Sequence, residues 1–396
     1  MFTMNRNKLS TGEFVIIIAL NFSLIAFSID AILPALPDIA SELIPSSPNK
    51  TQFIISSFLV GMGIATLFAG PLSDSFGRKK IICIGGTIFL FGTIIAGTAN
   101  NLEVVLIGRF IQGLGVAGPR VAALAIVRDL YAGRKMAQIM SISMIFFTFV
   151  PAVAPMIGAL ILINFGWRSI FTGFIIFLII AVGWLLLRQP ETLVKNDRVS
   201  FAFSRIYKSL IDCFTDKIFV ISTILQTLTF SILFASISTI QQVFDISYDK
   251  ASSFPYWFGL IALISGSGSF INSYLVVKMG MRRLIGVGFL IGTGASLCLI
   301  LFNLFYLIPF SLYFVWQLCV FFMIGLIIGN LNALAMQPMG HIAGLAASII
   351  GSASTIFGVL IAIPIGLSFK NSPDPLIIGT LGLSSLSFLI LKLLKE

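Results

Sequence analysis

Apolar runs of about twenty residues, separated by short polar connections, recur from one end of the chain to the other. A run of that length, coiled as a helix, crosses a bilayer core of ~30 Å. Backbone groups in lipid must be satisfied internally, so these runs are helices and not loose strands. Twelve spans are expected. The first six are 13–36, 51–71, 81–99, 104–127, 137–163 and 168–188. The second six are 218–242, 254–277, 284–304, 309–335, 345–369 and 375–392. The longest polar stretch, 189–217, carries mixed charges and divides the chain near its middle. The expected organisation is an N-terminal six-helix half (1–188), a linker (189–217) and a C-terminal six-helix half (218–396), an all-α membrane protein.

Composition agrees: 58% of residues are hydrophobic and 10% charged, against roughly a quarter charged in soluble domains. The net charge of +10 does not point to nucleic acid, because the cations recur in alternate short loops rather than on one face. With the N-terminus in the cytoplasm, the inside segments hold Arg6, Lys8, Arg78, Lys79, Lys80, Arg128, Arg134, Lys135, Arg188, Lys195, Arg198, Arg205, Lys208, Lys217, Lys278, Arg282, Arg283, Lys392 and Lys395. The outside segments hold only Lys50, Arg168, Lys250 and Lys370. The positive-inside rule therefore places both termini in the cytoplasm. The first apolar run is too long for a signal-peptide core and has no clear cleavage site, so it reads as a retained span. Cys83, Cys213, Cys298 and Cys319 show no metal-ligand spacing, so neither a disulfide framework nor a metal site is expected. No cofactor is expected either.

The loop Gly70-Pro71-Leu72-Ser73-Asp74-Ser75-Phe76-Gly77-Arg78-Lys79-Lys80 concentrates chemistry between spans two and three. Gly70 and Pro71 are expected to end span two, Gly77 to turn the chain, and the basic run to anchor span three. Topology needs no acid, so Asp74 beside Arg78 reads as a charge latch holding one conformation. Gly280-Met281-Arg282-Arg283 echoes this loop in the second half, with Val277 where the first has Asp74. A partial repeat of two six-span halves places a transport site between them.

Asp30 is the only carboxylate deep inside a span. A charge there costs ~3 kcal/mol or more unless solvated or paired. It reads as a proton-coupling group or as half of a structural ion pair. Arg109 and Arg120 lie eleven positions apart in span four, about three turns, and so share a face. One could pair with Asp30. The other must meet water, backbone carbonyls or an anionic substrate, or snorkel to the helix end. Arg128-Asp129 reads as a local salt bridge or a gating pair, and Glu13 as a solvated acid. Pro151, Pro155 and Gly158 form a bend in span five. Phe22, Phe27, Gln226 and Asn332 are candidates to line a substrate cavity. The glycines Gly113, Gly115 and Gly118 match a dinucleotide fingerprint, but without a preceding strand they serve close helix packing. Gly344, Gly351 and Gly358 are expected to do the same. His341 reads as a solvated loop imidazole. Spans seven to twelve have no ionisable residue in their middles, so charge-based coupling belongs to the first half.

Residues Gly70–Lys80 resemble the signature loop of the major facilitator superfamily, and Arg109-Phe110-Ile111-Gln112-Gly113 resembles its span-four signature. Leu33-Pro34-Ala35-Leu36-Pro37, Gly118-Pro119-Arg120-Val121, Arg128-Asp129, Gly166-Trp167-Arg168, Pro190-Glu191-Thr192 and His341-Ile342-Ala343-Gly344 are similar to its bicyclomycin-resistance (Bcr/CflA) drug-efflux group. The resemblance covers nearly the whole chain. It implies two pseudo-symmetric halves and proton-driven export of small amphipathic molecules by alternating access, by a monomer in the bacterial inner membrane. It also implies that Asp30 and Arg109 couple protons and that Asp74 with Arg78 gates. The antiporter motif of span five departs here, reading Ala154-Pro155 and then Gly158-Ala159, which weakens the implication of antiport over uptake. The alternative is a carrier of one physiological solute, such as an organic anion or siderophore, which Arg120 motivates. An enzyme is not expected, because one histidine and one buried acid fall short of a catalytic cluster. No P-loop is present to use ATP.

Overall fold

A computed structural model describes residues 9–394, the side chains of Ala137 and Thr148 excepted. Arg6, Lys8 and Lys395 lie outside the described residues. Among the described residues, twelve helices are long and apolar enough to cross a membrane. They are α1 (Thr11–Asp30), α2 (Phe53–Phe76), α3 (Arg78–Gly97), α4 (Leu102–Leu130), α5 (Gly133–Phe165), α6 (Arg168–Arg188), α7 (Lys217–Gln242), α8 (Phe254–Met279), α9 (Met281–Asn303), α10 (Phe310–Met336), α11 (Ala343–Leu367) and α12 (Asp374–Leu391). Every expected span is present. Large apolar side chains such as Leu160, Ile163, Leu187 and Leu307 are exposed on the outside of the bundle, as a lipid-facing surface requires.

Packing repeats with a period of six helices. In the first half α4 packs against α2 and α3, α1 against α5, and α3 against α6; in the second, α10 packs against α8 and α9, α7 against α11, and α9 against α12. The halves meet through α2 with α11 and α5 with α8, the same pairing exchanged. The sequence echo has a structural basis. Gly77 (φ +100°) alone joins α2 to α3, and Gly280 (φ +81°) alone joins α8 to α9. A side chain rarely tolerates that conformation, and glycine does.

Glycine also sets the closest helix approaches. On α4, a Cβ at Gly113 would strike the Phe58 carbonyl of α2, and one at Gly115 the backbone of α3 at Phe89. The fingerprint glycines are therefore packing residues, as expected. On α11, Gly358 lies against Phe230 and Ser231 of α7, but nothing approaches Gly344. The seven-residue glycine repeat is only partly a packing device.

Three local expectations change. Pro71 does not end α2, which runs on to Phe76. One missing N–H does not stop a helix whose next turn is held: Ser75 donates to the Pro71 carbonyl (2.8 Å) and Gly77 N–H to the Ser73 carbonyl (3.1 Å). The first span breaks at Asp30, passes through a tight turn at Leu33–Ala35 and resumes at Leu36–Leu43. Pro34 and Pro37 explain the break, since neither can donate to the preceding turn. Glu13 is not merely solvated. It accepts from Arg188 (2.7 Å) and Trp184 (3.2 Å) at one end of α6, while Glu42 accepts from Arg168 (2.8 Å) and Trp167 (2.7 Å) at the other.

The linker contains a helix, Phe203–Thr215. Ile206, Ser209 and Cys213 are buried, with Cys213 in one cluster with Ala335, Met339, Ala346 and Ile350 of the second half; Phe203, Tyr207, Ile211 and Phe214 are exposed. The helical spacing of these apolar residues was legible, though masked by the surrounding polar composition.

Candidate functional site

Arg109 lies in the middle of the first half, fully buried. Its Nη2 donates to the Ser28 carbonyl (3.0 Å), its Nε to the Ile54 carbonyl (3.2 Å), and its Nη1 to Gln112 Oε1. Gln112 in turn donates to Thr93 (2.8 Å), and the guanidinium lies 4.5 Å from the Phe58 ring. Ser28 is in the last turn of α1, where helix carbonyls go unpaired and the dipole favours a cation. Backbone and dipole thus do the work expected of a carboxylate.

The expected pairing of Asp30 with a span-four arginine is not formed. Asp30 is 4% exposed, and among the described residues its carboxyl has no hydrogen bond or ion pair. It sits where α1 breaks. At the same break the Ala31 carbonyl meets Gly158 so closely that a Cβ there would collide with it. Gly158 is therefore a contact residue between α5 and the α1 break. Pro151 and Pro155 lie inside a continuous α5.

A charged cluster surrounds the Gly77 joint. Arg78 donates to Asp129 (3.0 Å), to Asp74 and to Ser73 (3.2 Å). Thr192 donates to Asp129 (2.7 Å), and Glu191 accepts the N–H groups of Arg78 and Lys79 (both 3.0 Å) at the start of α3. The cluster ties together α2, α3, α4 and the chain leaving α6. Asp129 does not pair with Arg128, which is exposed, because successive helical residues point about 100° apart. Asp74 keeps half its side chain exposed and makes no described contact with the second half.

At the opposite end of the bundle the halves are joined by uncharged groups. Gln52 donates to Gln242 Oε1 and to the Gly366 carbonyl (both 2.9 Å), Gln242 donates to the Pro48 carbonyl (3.2 Å), and Asn49 to the Phe369 carbonyl (2.8 Å). The sequence reading missed this closure, since amides near span ends carry no charge signal. Toward the Gly77 end the α5–α8 seam parts. The helices touch at Ala152 and Gly259, and beyond that point the same faces, Ile145 and Phe149 on α5 and Leu263, Phe270 and Val277 on α8, are exposed. α2 and α11 stay together as far as Gly70 and Ser348.

The cavity candidates divide. Phe27 stacks on Phe177 (4.7 Å) and meets Phe174 edge-on (5.7 Å), packed against α6; Phe22 is buried in the same core. Asn332 donates to its own helix at Ile328 (3.0 Å). Gln226 is buried with no partner for its amide oxygen. Arg120 is exposed and has no described partner.

A profile of the Major Facilitator Superfamily matches residues 18–363. The "Bicyclomycin resistance protein homolog" of Haemophilus influenzae is 30% identical over 363 residues, 90% of this chain and 89% of that one. The "Multidrug resistance protein MdtL" of Salmonella typhimurium is 30% identical over 360 residues, 89% and 88% of the two chains. Among solved structures, a D-xylose-proton symporter superposes with a TM-score of 0.77 at 16% identity, over 95% of this chain and 96% of that one. The human organic anion transporter MFSD10 (TETRAN) superposes at 0.70 and 16% identity, over 97% and 100%.

Proposed function

Because the chain belongs to the Major Facilitator Superfamily and is a multi-pass membrane transporter, we propose that it exports small amphipathic molecules in exchange for protons, by alternating access. The observation that carries the reading is Asp30: a buried carboxyl with no hydrogen-bond or ion-pair partner among the described residues, at the break in α1, two residues from the carbonyl that anchors Arg109. An intramembrane acid without a partner is by default a functional group. Asp30 takes up a proton from one side and releases it on the other as the passage alternates. Arg109 holds α1, α2 and α4 in register around it.

The moving units are the halves 1–188 and 218–396, connected by 189–217. The Gln52–Gln242–Gly366 closure is the outer gate, and the end bearing Gly77 and Gly280 faces the cytoplasm of a bacterial inner membrane. The cluster of Asp74, Gly77, Arg78 and Asp129 is the inner latch, with Arg128 exposed beside it, and Pro151, Pro155 and Gly158 shape the helix that parts from α8. Names of the relatives, multidrug and bicyclomycin resistance proteins, support export. The test is expression in a pump-deficient bacterium. Resistance to several unrelated compounds should rise, and Asp30→Asn should abolish the rise. No resistance, with export of a single metabolite lost in a knockout, contradicts the reading.

A further inference from the structure

We propose that Arg120 is the substrate-recognising cation of the transport passage, and that the molecules this protein carries best are amphipathic anions: an apolar body bearing a carboxylate or similar negative group. The inference rests on the export reading and names its substrate class.

In the interior of the expected spans there are three Asp, Glu, Lys or Arg side chains: Asp30, Arg109 and Arg120. Asp30 is 4% exposed and Arg109 is fully buried on neutral acceptors. Arg120 alone is exposed. In this conformation a solute in the passage therefore meets one positive charge and no negative one.

Geometry places that charge inward. α4 presents Gly108, Gly115 and Gly118 to α3. Arg120 lies three turns from Arg109 on the other face, the one that reaches Ser28 of α1 and Ile54 of α2. It is ten residues from the helix end at Leu130, about 15 Å along the helix axis, too far for its side chain to reach that end. Among the described residues no acid, carbonyl or amide answers its guanidinium. A free guanidinium at that depth must face water, and because arginine stays charged at every physiological pH it offers a permanent forked donor for carboxylate.

A second unanswered group lies at matching depth across the molecule. Gln226 is nine residues inside α7, counted from Lys217. Its amide oxygen is buried without a partner, and neither end of the amide makes a described hydrogen bond. It begins a stripe that continues through the half-buried Phe230, Leu233 and Ile237 at helical spacing. One half thus supplies the exposed cation and the other a half-buried apolar strip that continues from the covered Gln226, a pairing suited to a charged head on an apolar body.

The experiment uses the full chain and three probes sharing one naphthyl body and ending in a carboxylate, a carboxamide or a quaternary ammonium. Binding is read in detergent from the ligand-dependent rise in unfolding temperature, and transport in proteoliposomes. The carboxylate should bind at least about tenfold more tightly than the carboxamide, and the ammonium weakest. Arg120→Gln should bring the carboxylate-to-carboxamide ratio to about one, and Arg120→Lys should restore part of it. Both variants should unfold like the parent without ligand, since no partner is lost. An ammonium bound as well as the carboxylate, or a ratio unchanged in Arg120→Gln, overturns the proposal. Carboxylate binding that depends on Arg120 without transport of any probe leaves the anion site standing and overturns the export reading instead.

Discussion

Arg109 is a cation held in the membrane interior without an acid. Its acceptors are two backbone carbonyls and an amide. Removing it leaves buried acceptors unmet, each worth about 1–3 kcal/mol. Arg109→Ala should therefore cost about 3 kcal/mol or more, and Arg109→Lys less, read as unfolding temperature in detergent. Asp30→Asn should change stability by no more than about 0.5 kcal/mol, because no described partner is lost. The three interior charges were legible in the sequence, since ionisable residues are rare in apolar spans. Their partners were not. Sequence suggests acid with base, whereas the structure answers Arg109 with the Ser28 carbonyl at the end of α1, the Ile54 carbonyl of α2 and the Gln112 amide, and a carbonyl has no residue-type signature. Pro34 marks the break, but not which side chain caps it.

Helix positions followed from hydropathy, because a span's length is imposed by the bilayer. Helix ends and contacts did not. Pro71 reads as a stop and lies inside α2 because the following turn is held by Ser73, Ser75 and Arg78. Identical glycines also differ in role according to what lies opposite them. Gly158→Ala should force apart α5 and the Ala31 carbonyl and cost about 1–3 kcal/mol, whereas Gly344→Ala, with nothing nearby, should cost no more than about 0.5 kcal/mol; thermal unfolding of both variants checks the contrast. The linker helix offers its own reporter. Burial, Asp212 and Asp216 push the Cys213 thiol up to about 11, so at neutral pH it is protonated as well as covered. In a variant retaining only this cysteine, maleimide labelling at pH 7 should be negligible in the folded protein and appear on unfolding. Rapid labelling of the folded chain would mean that the linker helix undocks.

At the scale of the molecule, the pseudo-two-fold arrangement was foreshadowed by the Gly77 and Gly280 repeat, where one glycine with positive φ joins two spans in each half. The pairing of Asp74 with Arg78 was legible because it is written in charged residues four positions apart. The amide closure at Gln52 and Gln242 was not, and it is what joins the halves at the end where their charges are few. Joining cysteines at 52 and 242 with a short cleavable cross-linker, in a background lacking the native cysteines, should stop transport, and cleavage should restore it. Undiminished transport in the cross-linked protein would remove this contact from the cycle. The account as a whole stands on proton exchange at Asp30. The most direct measurement is proton movement across proteoliposomes when an exported compound is added. The parent protein should move protons on addition, and Asp30→Asn should bind the compound without moving them. Equal proton movement in Asp30→Asn would contradict the account.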